Sequence, residues 1–310
     1  MRPVATTALH QAARRIRRHR VLLAMILPCM LFYAVFDYLP MFGLLIAFKD
    51  FSIERGIIAS PWVGLEHFRT LFTGDEFLRV LRNTVLISSL KLVCGFVSPI
   101  IFALMLNELR LSILAKGIQT LSLIPHLLSW VILAGIFRLI FSAGGPANDV
   151  AALLGASKPI DWLTDDRWFI AVLVYTEVWK GLGFGSIIYL AAIAGISPDL
   201  YEAARMDGAS RLQCIRHITL PQLKPTMITL LILSLGGFLS AGFDQIYNLY
   251  NPLVMDVADI IDTYVLRLLM SLQLEVATAA GMFKAVVGFV LIVVVNLVVK
   301  RMSKGEQGIF

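Results

Sequence analysis

Apolar positions along this chain fall in long runs, with neither the alternation of strands nor the narrow stripe of soluble helices. Six stretches of predominantly apolar residues recur, near 21–43, 84–107, 118–141, 168–196, 226–249 and 277–299. A hydrocarbon layer about 30 Å thick is crossed by a helix of ~20 apolar residues, so each run predicts one membrane span. The first is interrupted by polar residues around Asp37, and the fourth by the glycines Gly181, Gly183 and Gly185. After Asp37-Tyr38-Leu39-Pro40 the first run resumes from Met41 to Phe48 without a small-residue cleavage site, which predicts an uncleaved anchor and not a signal peptide. Leader, loop and tail follow from the runs. A basic segment is expected at 1–20, a six-helix domain at 21–300 and a tail at 301–310.

Polar stretches with turn residues predict loops at 49–83, 142–167 and 250–276 on one side of the membrane and at 108–117 and 197–225 on the other. Within the first of these, a short amphipathic helix is expected around Glu76 to Arg82. Composition agrees with a bilayer protein: of the 310 residues 58% are hydrophobic and 15% charged, with a mean hydropathy of +0.80. A soluble domain is far more polar. The net charge of +6 does not point to nucleic acid, because six arginines (Arg2, Arg14, Arg15, Arg17, Arg18, Arg20) stand ahead of the first run, where anionic lipid headgroups account for them. With the N-terminus inside, the inner segments hold 15 Lys/Arg and 5 Asp/Glu against 8 and 13 outside, so both termini are expected in the cytoplasm. Cys29, Cys94 and Cys214 have no C-x-x-C spacing and indicate neither a disulfide framework nor a metal site.

Catalytic chemistry is sparse. There is no G-x-x-x-x-G-K-[ST] and no Gly-Lys dipeptide, so nothing here cradles a nucleotide phosphate. The histidines lack H-E-x-x-H spacing, and Gly183-Phe184-Gly185-Ser186 lies in an apolar run without the strand a nucleophile elbow needs. An intramembrane hydrolase using Ser186 and His126, and a secondary transporter or channel, stand as the alternative functions. The latter predicts inverted repeats or matched broken helices, which the sequence does not display. Seven ionisable residues fall within the runs: Asp37, Lys91, Arg138, Glu177, Lys180, Asp244 and Lys284. Charges in hydrocarbon are costly and mark function or pairing. Asp37, Arg138 and Lys284 read as edge residues that snorkel, whereas Glu177 and Lys180, three apart on one helical side, read as a pair.

The segment 197–225 carries the densest local signal. Ser197 suits an N-cap, Pro198 the first helical position, Asp199 the positive helix end and Gly208 a left-handed closing residue. A second helical pattern follows from Ala209 to Ile218 and is expected to stop at Leu220-Pro221. Short helices need packing to persist, so this pair is either a knob gripped by a partner or a surface unit folded against its own bundle.

Glu202-Ala203-Ala204, then Gly208, Ile218 and Leu220-Pro221 at their spacing, resemble the EAA loop of binding-protein-dependent ABC importer permeases at seven defining positions. Asp37 to Leu44, Lys49-Asp50-Phe51 and Gly242 to Leu249 are similar to segments of the oligosaccharide and polysaccharide subfamily, which includes alginate importer subunits. The resemblance implies the all-α type I permease fold in a bacterial cytoplasmic membrane. It also implies a second homologous permease, two ATP-binding cassette subunits that carry ATP and Mg²⁺, an extracytoplasmic solute-binding protein and a saccharide cargo. Glu202, Ala203, Ala204, Asp207, Gly208, Ile218, Leu220 and Pro221 would then form the ATPase-coupling loop. Glu177, Trp179, Lys180 and Gly181 before that loop, with Phe243, Asp244 and Gln245 after it, match the stretches that touch sugar in maltose-type relatives. Acids stand at Glu177 and Asp244 where amides are common there.

Overall fold

The computed structural model describes residues 20–302, so the basic segment ahead of Arg20 and the tail beyond Met302 lie outside the described residues. Apart from one bridge between Lys49 and Trp62, the described residues form helices and turns. The rod α1 (Arg20–Phe48) is unbroken. Its polar patch is absorbed by a π turn at Ala34–Tyr38, whose shifted register carries the helix into Pro40. Almost all of its apolar surface is exposed, which leaves it for lipid or for another chain.

The amphipathic helix of the following loop is α2 (Glu66–Thr73), not Glu76 to Arg82. Extended Gly74 ends α2, and the acidic first turn of α3 (Asp75–Glu108) starts immediately after it. Phe77 and Val80 are fully buried, so the 76–82 segment belongs to the span. Its 34 residues make α3 about 50 Å long, well beyond the hydrocarbon.

The third run is two helices, α4 (Ser112–Leu127) and α5 (Trp130–Ile140), bent by 105°. Pro125 weakens the last turn of α4, Leu128 is extended, and Ser129 restarts the helix by accepting from the Ile132 amide at 3.4 Å. After α6 (Pro146–Leu153) comes α7 (Asp166–Ala194), continuous through the glycines expected to interrupt it. Two of those glycines permit contact instead. A Cβ on Gly185 would lie 3.0 Å from Pro99 of α3, and one on Gly183 would overlap the Ser122 backbone of α4. Gly183→Ala should therefore lower the melting temperature of the purified protein, since overpacking costs about 1–3 kcal/mol. Gly117→Ala, with nothing within 4 Å of the new methyl, should melt at or above wild type; equal melting of both would show that α4 and α7 do not depend on this contact.

The short helix α8 (Pro198–Met206) precedes α9 (Arg211–Leu235). The second helix does not stop at Leu220-Pro221: a π turn at Ile215–Thr219 lets it run through both Pro221 and Pro225. The fifth run breaks later, at Gly236 and Gly237, and resumes as α10 (Phe243–Leu249). The 250–276 segment contains α11 (Ile261–Met270), and α12 (Leu274–Met302) closes the fold. Broken spans are thus present, in the third and fifth runs.

Three packed clusters hold the bundle. One joins Ile87, Phe137, Phe169, Leu173 and Ile246 across α3, α5, α7 and α10. Another packs Phe77 and Val80 against Tyr264 and the small face Ala277, Ala279, Ala280, and the third sets Ile100, Tyr189 and Ile193 against Leu223. At the end of the bundle away from α8, Asp259 is fully buried and pairs with Arg267 at 2.8 Å, which also reaches Glu76 at 2.7 Å. Burial alone would lower the Arg267 pKa, but the hydrogen bonds and charges of Asp259 and Glu76 outweigh it and the pKa is raised. Those contacts dock α11 on the start of α3 and on the turn before α11.

Candidate functional site

Where the fifth span breaks, backbone groups lose their helical partners inside the bilayer, and each needs another. Ala241 and Gly242 are both left-handed, with φ of 49° and 78°. Lys91 of α3, 8% exposed, donates to the Ala241 carbonyl at 2.7 Å and to Oε1 of Gln245. Gln245, fully buried, passes its amide on to the Leu173 carbonyl at 2.7 Å and to Thr176 Oγ1 at 2.6 Å. The break is thereby tied to α3 and α7. Gln245 is a clamp within the wall and does not face a lumen, which corrects its expected place among sugar contacts.

Two cavities meet at this break. One, of about 360 Å³, lies toward the α8 end between α3, α7 and α9, with Ser88, Lys91, Glu177, Gly181, Ser234 and Gly237 on its walls. The other, of about 560 Å³, opens on the opposite side under α11, with Trp130, Glu177, Phe243, Asp244 and Asp262. Glu177 and Gly242 border both. Sequence reasoning missed Ser88, Ser234 and Gly237; the Gly236-Gly237 pair followed by Ala241-Gly242 was the available signal of a broken helix.

Lys180 and Trp179 border neither cavity. The Trp179 ring meets Phe137 edge-on at 5.5 Å. Lys180 does not pair with Glu177: it donates to the carbonyls of Leu128, of His126 at 3.3 Å and of Pro125 at 3.4 Å, at the bend between α4 and α5. Its ammonium also sits 5.3 Å from the Trp130 ring centroid. Arg138 donates to the Asn248 carbonyl at 2.7 Å, and Lys284 binds both oxygens of Asp262 at 2.6 and 2.7 Å, so neither is a snorkelling side chain. Lys91, Lys180 and Arg138 share one task, supplying donors to carbonyls released at helix breaks and ends. Ser186 donates to Gly183 and His126 stacks on Phe184, so the two hydrolase candidates do not meet.

At the far end of the bundle, α8 has no buried residue. Ser197 caps it by accepting from the Asp199 amide at 3.3 Å. Asp207 occupies its C-cap, and Gly208, with φ of 81°, closes it: Gly208 N–H bonds Arg205 O at 3.0 Å and Ala209 N–H bonds Ala204 O at 2.9 Å. This is the Schellman pattern. A capping box of Ser210 and Gln213 then opens α9. Tyr201 and Thr219 are hydrogen-bonded at 2.9 Å across the two helices, and Leu220 anchors the unit in the Ile100, Tyr189 and Ile193 cluster. Ile218 is half-buried and Pro221 exposed on the same arm. Glu202 and Ala203 face outward, so the knob is held at its base and free at its tip.

Comparison with known proteins assigns this architecture. The polygalacturonan/rhamnogalacturonan transport system permease protein YteP of Bacillus subtilis (strain 168) is 42% identical over 295 residues, covering 94% of this chain and 91% of that protein. Protein LplB of the same organism is 40% identical over 296 residues, covering 95% and 92%. The crystal structure of a bacterial alginate ABC transporter in complex with an alginate pentasaccharide-bound periplasmic protein contains a chain that superposes with a TM-score of 0.87 at 39% identity, covering 96% of this chain and 99% of that one. With the family description matching over residues 95–304, this chain belongs to the binding-protein-dependent transport system inner membrane components, the permeases of ABC importers.

Proposed function

We propose that this permease is one of two homologous halves of a type I importer that moves an oligosaccharide or polysaccharide across a bacterial cytoplasmic membrane, with both termini inside. Two ATP-binding cassette subunits, carrying ATP and Mg²⁺, grip the α8 knob through Glu202, Ala203 and Ala204; an extracytoplasmic binding protein presents the cargo from the other side. The observation that carries this is the pair of cavities on either side of the fifth-span break, which meet at Glu177 and Gly242. A saccharide entering under α11 meets Asp244 and Phe243, passes Glu177, and leaves past Gly181 and Ser234. Hydroxyl groups suit carboxylate acceptors, and the half-buried Phe243 ring suits an apolar sugar face. ATP binding selects between two packings of the same bundle, so the cargo is exposed to one side at a time.

The test is uptake by proteoliposomes holding the whole transporter. Labelled oligosaccharide should accumulate only with ATP and the cognate binding protein present, and Asp244→Ala should raise the cargo concentration needed for half-maximal transport while the complex stays assembled. Accumulation driven by an ion gradient without ATP would overturn the proposal in favour of a secondary transporter.

A further inference from the structure

Lys91 does more than fill a gap in the wall, because its surroundings offer it two sets of acceptors and only one is in use. Its bonds to Ala241 and Gln245 hold two successive left-handed residues, one of them an alanine, in a conformation that L-residues rarely adopt. The Glu177 carboxylate also stands near the ammonium, with Oε2 at 3.8 Å. That distance is an ion pair without a hydrogen bond. Oε2 is buried, and no side chain or backbone group among the described residues donates to it. The Glu177 side chain is 36% exposed and borders both cavities, so its carboxylate is not locked into the wall as the Gln245 amide is. Oε2 is thus a second acceptor about 1 Å beyond the ammonium's present hydrogen-bond reach.

The place of this arrangement gives the second position a consequence. Glu177 and Gly242 are the residues common to both cavities, so the 236–242 break is the partition between them. Gly242 leaves the ammonium its seat: a Cβ there would lie 2.7 Å from Nζ and 3.5 Å from Glu177 Oε2. We propose that Lys91 is a two-position latch on the fifth span, closing the break on Ala241 and Gln245 in the access state seen here and transferring to Glu177 when the break rearranges to the other state. This rests on the reading of the chain as an alternating-access permease half. Lys91 is then a positioning residue: it sets which cavity is open without itself needing to touch cargo.

The experiment uses the assembled transporter with Cys29, Cys94 and Cys214 replaced and one cysteine reporter in each cavity, at Ser234 or at Leu266, probed by a water-soluble thiol reagent in the absence of cargo. Binding a non-hydrolysed ATP analogue with cargo-free binding protein should change the two reactivities in opposite directions in the wild-type background, by about tenfold for a coupling of 1.4 kcal/mol. In Lys91→Met the nucleotide-dependent change should vanish, and ATP hydrolysis should no longer require the binding protein; Lys91→Arg should restore both. Glu177→Gln keeps every bond Lys91 makes in the present state and removes only the charged second acceptor, so it should assemble normally and still lose most of the change. Where Lys91→Met fails to assemble, Glu177→Gln decides. Wild-type switching by Glu177→Gln, or by Lys91→Met, would overturn the latch. Because cargo is absent throughout, loss of switching cannot be mistaken for loss of a sugar contact, and lost switching with cargo binding unchanged would uphold the latch while overturning only the cargo route.

Discussion

Replacing Gly208 by valine should abolish uptake while leaving the spans inserted. The reason is backbone conformation alone: φ at Gly208 is 81°, and no atom lies within 4 Å of where a Cβ would be. A left-handed L-residue costs about 1–2 kcal/mol, and a β-branched one more. Helix α8 has nine residues and no buried side chain to compensate, so the Schellman closure is what sets its direction. With valine at this position the closure opens, and the tip carrying Glu202 and Ala203 no longer points along one line. A graded series separates this from bulk: Gly208→Asn, which tolerates the left-handed region, should keep most uptake, Gly208→Ala should lose part and Gly208→Val nearly all. Binding-protein-stimulated ATP hydrolysis, membrane levels and uptake are the three measurements. Full stimulation and uptake by Gly208→Val would remove the knob from the coupling route.

The parts of this molecule that are legible in its sequence are those whose signals are local. Six apolar runs mark the span positions because length and hydropathy act residue by residue. The knob is legible because Ser197, Pro198 and Gly208 announce a cap, a first turn and a closure within twelve residues. What stays hidden depends on partners far along the chain. The breaks at Leu128 and Gly236 are masked because proline and glycine are tolerated inside membrane helices when neighbours supply hydrogen bonds. The suppliers, Lys180 and Lys91, act across 52 and 150 residues of sequence. An intramembrane lysine that binds cargo and one that caps a carbonyl have the same sequence signature, so sequence alone puts Lys180 in the pathway and Arg138 and Lys284 at the membrane edge. Pro221 misleads in the opposite direction, since the π turn before it accommodates a proline that would ordinarily end a helix.

Lys180→Met should cost the protein its stability and not its affinity for cargo. The side chain is partly buried and supplies the donor to three carbonyls at the bend where α4 turns by 105° into α5. A positive charge also complements the carboxyl end of α4. Hydrogen bonds to charged groups contribute about 1.5–3 kcal/mol, and a carbonyl left unpaired in apolar surroundings adds its own desolvation cost of about 1–3 kcal/mol. Methionine matches the volume, so packing against Trp130 is kept while the donor is lost. The expected loss is a few kcal/mol, on the order of a quarter or more of a typical folding free energy. Membrane levels should fall several-fold and the melting temperature of what is purified should drop, with the half-saturating cargo concentration of surviving transporters unchanged. Lys180→Gln, which retains a neutral donor, should fall between. A role in cargo contact predicts the reverse pattern, normal levels and melting with a raised half-saturating concentration, and that outcome would return Lys180 to the pathway.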